Sequence, residues 1–132
     1  MDAAHRVIVQ PAAEASWNVR LISNTQEDAI RAVHDLLGLP LPPTAIFASS
    51  DVQALTILRV ARKLGIQVPG QLAVIGFDDI DAAEMADLTT IRQHLDESGR
   101  LAVEILMSHI IDPSRPPQQV KLPLILVERQ TT

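Results

Sequence analysis

From Thr44 to Ala48 the chain is a short apolar run of strand-forming residues, and Leu72 to Phe77 is a second one. Between them the apolar positions recur every three or four residues, which predicts a helix over Val52 to Leu64. Ser49, Ser50 and Asp51 offer side-chain caps at its start, and Gly65 stops it. Two runs buried on both faces and joined by a helix predict a parallel strand–helix–strand unit with a right-handed crossover. On the helix, Ala54, Ile57, Leu58, Ala61 and Leu64 share a sector predicted to face the sheet.

The flanking pattern continues the alternation. Arg6 to Val9 and Val19 to Ile22 read as strands, and Pro11 to Ser16 as the start of a short helix. Ser23, Asn24 and Thr25 cap a helix over Gln26 to Leu37, ended by Gly38. Downstream, Ile80 to Asp87 is a loop or helical turn, and Leu88 to Arg92 is a strand. Asp96 to Ile111 is a helix, and Val120 to Val127 is a closing strand. The order predicts an α/β fold: a doubly wound, mainly parallel sheet flanked by helices. The helix from Asp96 is apolar over more than half its circumference, including Leu101, Val103, Ile105, Leu106 and Ile110. Such a helix expects cover on more than one side.

Composition narrows the function classes. A length of 132 residues suits one domain or one lobe of a larger one. Aromatics make up 2%, too few for a base-stacking platform. The net charge of -5, without a basic run, speaks against gripping a phosphate backbone through this chain. Cysteine is absent, which excludes disulfides and thiolate chemistry. The start has no signal-peptide pattern and no apolar run reaches membrane-spanning length, so a cytoplasmic protein with no membrane partner is expected.

The candidate chemistry lies where the two strands of the central unit end. Asp51 follows the first strand, and Asp78 and Asp79 follow the second. In open α/β sheets, ligands bind in the crevice outside the carboxyl ends of the strands. A carboxylate there accepts several hydrogen bonds from hydroxyl or N–H groups of a small ligand. For Asp51 two readings stand: ligand contact, or a cap for the following helix. Asp78 has no evident helix to cap, which favours ligand contact. Nothing indicates a general acid–base pair, so no catalytic residue is assigned. No G-x-S-x-G elbow supports a triad with His94. The glycines form no phosphate-cradling loop, and His5, His34, His94 and His109 lack metal-ligand spacing, so no metal or cofactor is expected.

Four segments carry a resemblance: PTAIFASSDVQAL, LGIQVPGQLAVIGFDD, LTTIRQHLDESGRLAVEILMSHI and VKLPLILVERQTT. In this order and spacing they resemble the LacI/GalR (lactose-repressor-like) transcriptional regulators, over roughly Asn24 to Thr132. The resemblance implies a fragment of a periplasmic-binding-protein-like effector domain, whose two lobes close on a small sugar-like or purine-like effector. It would divide residues 1–132 into a C-terminal lobe over about 19–87, a strand and helix of the other lobe over 88–111, and a returning strand over 118–132. By the same resemblance Asp78 binds effector, and Ser50 stands where the family commonly has a ligand-contacting Asn. Asn24 falls at a ligand position that is frequently aromatic. The resemblance also places the helix from Val52 in a homodimer interface. Val52 and Leu55, among Arg59 and Arg62, fit that interface or are scattered surface aliphatics. DNA would be bound only through a helix-turn-helix headpiece that is absent from this sequence. The other function class is a stand-alone cytoplasmic sugar-binding protein that does not act on DNA.

Overall fold

The computed structural model describes residues 5–10, 18–22 and 26–132, and the side chains from residue 27 onward. The elements are β1 (His5–Gln10), β2 (Asn18–Ile22), α1 (Gln26–Leu37), β3 (Ala45–Ala48) and α2 (Asp51–Lys63). They continue as β4 (Ala73–Ile75), α3 (Asp81–Met85), β5 (Thr90–Arg92), α4 (Leu95–Ile111) and β6 (Ile125–Val127). The helix start expected over Pro11 to Ser16, the cap expected at Ser23 to Thr25, and Asn24 itself lie outside the described residues.

The β3–α2–β4 unit has the expected parallel geometry, with Ala45 opposite Ala73 and Phe47 opposite Ile75. Parallel bridges from Ile75 to Thr89 and from Asp78 to Arg92 carry the same direction one strand further. The larger sheet has the order β2-β1-β3-β4. Its N-terminal part departs from the parallel expectation, because β1 runs antiparallel to both β2 and β3. Residues 11–17 are too few for a parallel crossover, which takes about a dozen residues or more, so β1 and β2 pair as a hairpin. β5 and β6 form a separate antiparallel pair.

Burial of α2 follows from its two neighbours. Ala54, Ile57 and Ala61 pack inward as the pattern predicts. Leu64 remains 47% exposed, and the buried sector turns instead towards Gln53, Thr56 and Val60. The reason is α1, which packs alongside α2 and covers a flank that sequence periodicity assigns to water. Val33 and Leu36 of α1, Ile46 of β3, Ile57 of α2, Leu72, Val74 of β4 and Leu88 are the largest apolar side chains sealed in this core.

Helix α4 stands outside that core. None of its residues is buried, and Val103, Leu106, Ile110 and Ile111 are each about 60% exposed or more. The expected closing strand is also shortened to Ile125–Val127, because β5 offers only Thr90 to Arg92 as partners. A depression of about 280 Å³ lies between α4 and the segment 120–124, with Gln93, His94 and Ser98 among its lining residues.

Candidate functional site

Strands β3 and β4 end on the same rim, and the chain turns sharply at each end. After β3, Ser50 adopts extended backbone angles and its hydroxyl accepts a hydrogen bond from the Gln53 N–H at 3.4 Å. Ser50, one of the three candidate caps Ser49, Ser50 and Asp51, is therefore the N-cap of α2. Ser50 is half-buried on the rim. Beside it, the Ser49 hydroxyl meets Oε1 of the buried Gln53 at 3.1 Å, while Nε2 of Gln53 has no hydrogen-bond partner among the described residues.

Asp51 faces inward. Its N–H donates to the Phe77 carbonyl at 2.7 Å, and its side chain is fully buried. Oδ2 accepts from the Ile80 N–H at 2.9 Å, and Oδ1 accepts from the Thr90 hydroxyl at 2.5 Å. The cap expectation for Asp51 is thereby corrected: its two oxygens tie α2 to the turn after β4 and to β5, and the ligand contact expected of it gains no support from this buried side chain. Identical chemistry serves either role at a strand end, and only the partners 29 and 39 residues away decide between them.

Asp78 is the carboxylate that stays on the rim. It is half-buried, and Oδ1 accepts from Nε2 of Gln93 at 2.6 Å. Among the described residues, Oδ2 of Asp78 accepts no hydrogen bond. The backbone that presents it is unusual: Asp78 has φ 118° and Asp79 φ 59°. Positive φ is uncommon outside glycine and costs about 1–3 kcal/mol when the surroundings impose it. The imposing contacts are local. The Asp78 N–H donates to the Ile91 carbonyl at 2.9 Å, and the Asp79 side chain is gripped on both sides.

That grip consists of two arginines. Nε of Arg92 donates to Oδ2 of Asp79 at 2.6 Å, and Nη2 of Arg129 donates to Oδ1 at 2.8 Å. Burial pushes the Asp79 pKa up, but the hydrogen bonds and charges of Arg129 and Arg92 outweigh it and hold the group below the usual carboxylate value of 3.8. Arg92, Gln93 and Arg129 are not among the candidates that the sequence singles out. Their one signal is a single arginine in each of LTTIRQ and ERQTT, beside threonines that suit strands. A buried carboxylate such as Asp79 also demands partners.

The outer face of α2 carries the remaining candidates. Val52 is 62% exposed, and Arg59 and Arg62 are exposed beside it. Leu55 is half-buried and packs against the core, so it offers less to a partner than the periodicity suggests. Among the described residues no helix is long and apolar enough to cross a membrane.

A parallel strand–helix–strand unit with a half-buried carboxylate on its carboxyl rim is the arrangement at which open α/β sheets take ligands. The chain belongs to the periplasmic binding protein-like domain family, which it matches over residues 3–132. Its relatives are LacI-family regulators. It is 40% identical to the ribose operon repressor of Escherichia coli strain K12 over 100 residues, covering 74% of this chain and 30% of the repressor. Among solved structures, a LacI-type regulator from Bacillus cereus subsp. cytotoxis superposes with a TM-score of 0.79 and 28% identity. That match covers 83% of this chain and 40% of the other. A LacI family regulator from Enterococcus faecalis with bound ribose gives a TM-score of 0.75 and 28% identity, covering 84% of this chain and 42% of that one. The chain thus spans about a third of the length of the curated relative.

Proposed function

We propose that this chain is the ligand-sensing part of a LacI-type transcriptional regulator, non-catalytic and cytoplasmic, that binds a small sugar-like or purine-like effector. The observation that carries the reading is Asp78: a half-buried carboxylate in the turn after β4, held by Gln93, with one oxygen unengaged among the described residues. Neighbouring hydroxyls of a sugar suit such a group, since each donates to a carboxylate oxygen while accepting elsewhere. Ser50, at the end of the adjacent strand, supplies a hydroxyl on the same rim, and Asn24 remains a candidate third contact. The relative named for a ribose operon and the ribose-bound structural neighbour support a pentose as the first ligand to try. A relative named as a repressor favours a regulator over a stand-alone sugar-binding protein.

In this reading residues 19–87 form the C-terminal lobe, while the strand and helix over 88–111 belong to the opposing lobe. The exposed apolar faces of α4 support that division, because such a surface is stable in water only when covered. Effector then favours one arrangement of the lobes and biases DNA binding by a headpiece elsewhere in the protein. Dimerisation uses α2, with Val52 at the centre and Arg59 and Arg62 at the rim. The test is a thermal-shift screen of sugars, nucleosides and nucleobases on the natural protein that carries this sequence, since ligand binding to the folded state raises its midpoint. A midpoint that no compound raises, including ribose, overturns the sensor reading.

A further inference from the structure

Three stretches meet around the Asp79 carboxylate, next to Asp78: the turn 76–80, the segment 88–92 and the closing residues 128–132. Arg129 joins all three. Its Nη2 donates to Oδ1 of Asp79 at 2.8 Å, its Nη1 donates to the Leu88 carbonyl at 2.8 Å, and its N–H donates to the Thr89 hydroxyl at 2.9 Å. The ion pair is sheltered, with side-chain exposures of 14% for Arg129 and 6% for Asp79. Arg92, which holds the other Asp79 oxygen, is itself 49% exposed and gives a weaker grip.

The turn needs such a grip. Two successive non-glycine residues at positive φ relax to ordinary backbone unless their surroundings hold them. The first, Asp78, is held through its N–H by Ile91 and through its side chain by Gln93. Asp79 is held by the two arginines, and Arg129 is the one anchored to a second fixed point, the Leu88 carbonyl.

We infer that Arg129 is a positioning residue of the ligand site: by clamping Asp79 it fixes the left-handed turn that presents Asp78 to the ligand. The inference rests on the reading of Asp78 as the ligand carboxylate, and Arg129 itself touches no ligand. A planar guanidinium reaches the carboxylate and the carbonyl at once, which the single ammonium of lysine does not reproduce. The closing segment has anchors of its own. The Gln130 N–H donates to the Asp87 carbonyl at 2.9 Å, and the Thr131 hydroxyl donates to the Val74 carbonyl at 2.7 Å and accepts from the Thr89 N–H at 2.9 Å. Substituting Arg129 therefore loosens the turn and leaves the segment in place.

Two measurements test this. The first is amide hydrogen exchange on the natural protein that carries this sequence, with Arg129→Lys and Arg129→Met. The Asp78 and Ile80 amides are expected to exchange about tenfold faster or more, while the Val74 and Thr89 amides hold their rates. Unchanged exchange at Asp78 overturns the inference, and so does a uniform acceleration of all four amides, which marks general destabilisation. The second is calorimetric titration of ribose into the natural protein, at a temperature where every variant is folded. Arg129→Lys and Asp79→Asn are each expected to weaken binding about tenfold, and together no more than either alone. Full affinity in Arg129→Lys overturns the clamp. If Asp78→Ala leaves ribose affinity unchanged, the ligand reading is what fails, and hydrogen exchange alone then decides the fate of the clamp.

Discussion

A Cβ built on Gly76 lies 2.2 Å from Oδ1 of Asp51. The glycine of the GFDD segment is thus required by a carboxylate that enters from α2, and no side chain fits at that position while Asp51 keeps its hydrogen bonds. Gly76→Ala is expected to destabilise the lobe by about 2–3 kcal/mol. Urea unfolding of the purified variant checks it, and an unchanged midpoint means that Asp51 is not held as described.

Asp51 and Asp78 are expected to separate stability from binding. Asp51→Ala leaves the Ile80 N–H and the Thr90 hydroxyl without their acceptor in a dry interior, at a cost of about 2–5 kcal/mol. Asp78→Ala is expected to change stability by less than about 1 kcal/mol and to weaken effector binding by about 1–3 kcal/mol. Paired urea melts and calorimetric titrations resolve the two effects. The assignment is reversed if Asp78→Ala proves the less stable protein and Asp51→Ala the weaker binder.

Backbone conformation gives a second handle on Asp78. Its φ of 118° suits glycine better than any residue with a Cβ. Asp78→Gly is therefore expected to be more stable than Asp78→Ala by about 1 kcal/mol, although both lack the carboxylate. Equal melting temperatures for the pair imply an ordinary turn.

The acid limb of stability is expected to depend on Asp79. Its folded-state pKa lies below the unfolded value near 3.8, so its contribution is complete above that value and is lost as pH falls through the lower, folded one. Asp112 is lowered too, by the Ser114 hydroxyl and N–H and by Arg115, but it is solvent-exposed. Urea melts at pH 7 and then from pH 5 downward should show Asp79→Asn less stable than the parent at neutral pH, with the gap closing in acid. A gap independent of pH excludes the ionised carboxylate as its source.

The isolated chain is expected to self-associate at tens of micromolar, roughly where weak dimers form. Val52 on α2 and Leu106 on α4 are the two probes, at 62% and 59% exposure. Sedimentation of Val52→Asp and Leu106→Glu identifies which face is responsible, and a monomeric parent chain at that concentration contradicts both.

How much of this was legible beforehand differs by element. The bounds of α1 were readable to the residue and those of α2 within one, because each begins at a run of capping residues and ends at a glycine. Strand ends were less so. Val120 to Leu124 has strand composition, yet pairing depends on what lies opposite, and β5 is three residues long. The rim carboxylate Asp78 was readable from its place after an apolar run. The inward turn of Asp51 was not, since it is decided by Gly76 making room and by Thr90 donating from another strand. Arg129 was the hardest to foresee: its partner Asp79 is 50 residues away, and only the folded sheet brings them together.

Thr131 has a bearing on the edge of the sheet. Its backbone oxygen accepts from the Val74 N–H at 2.8 Å and its hydroxyl donates to the Val74 carbonyl, 57 residues earlier. Removing the closing residues therefore leaves the Val74 N–H and C=O without these partners and exposes the edge of β4 to pairing with another chain.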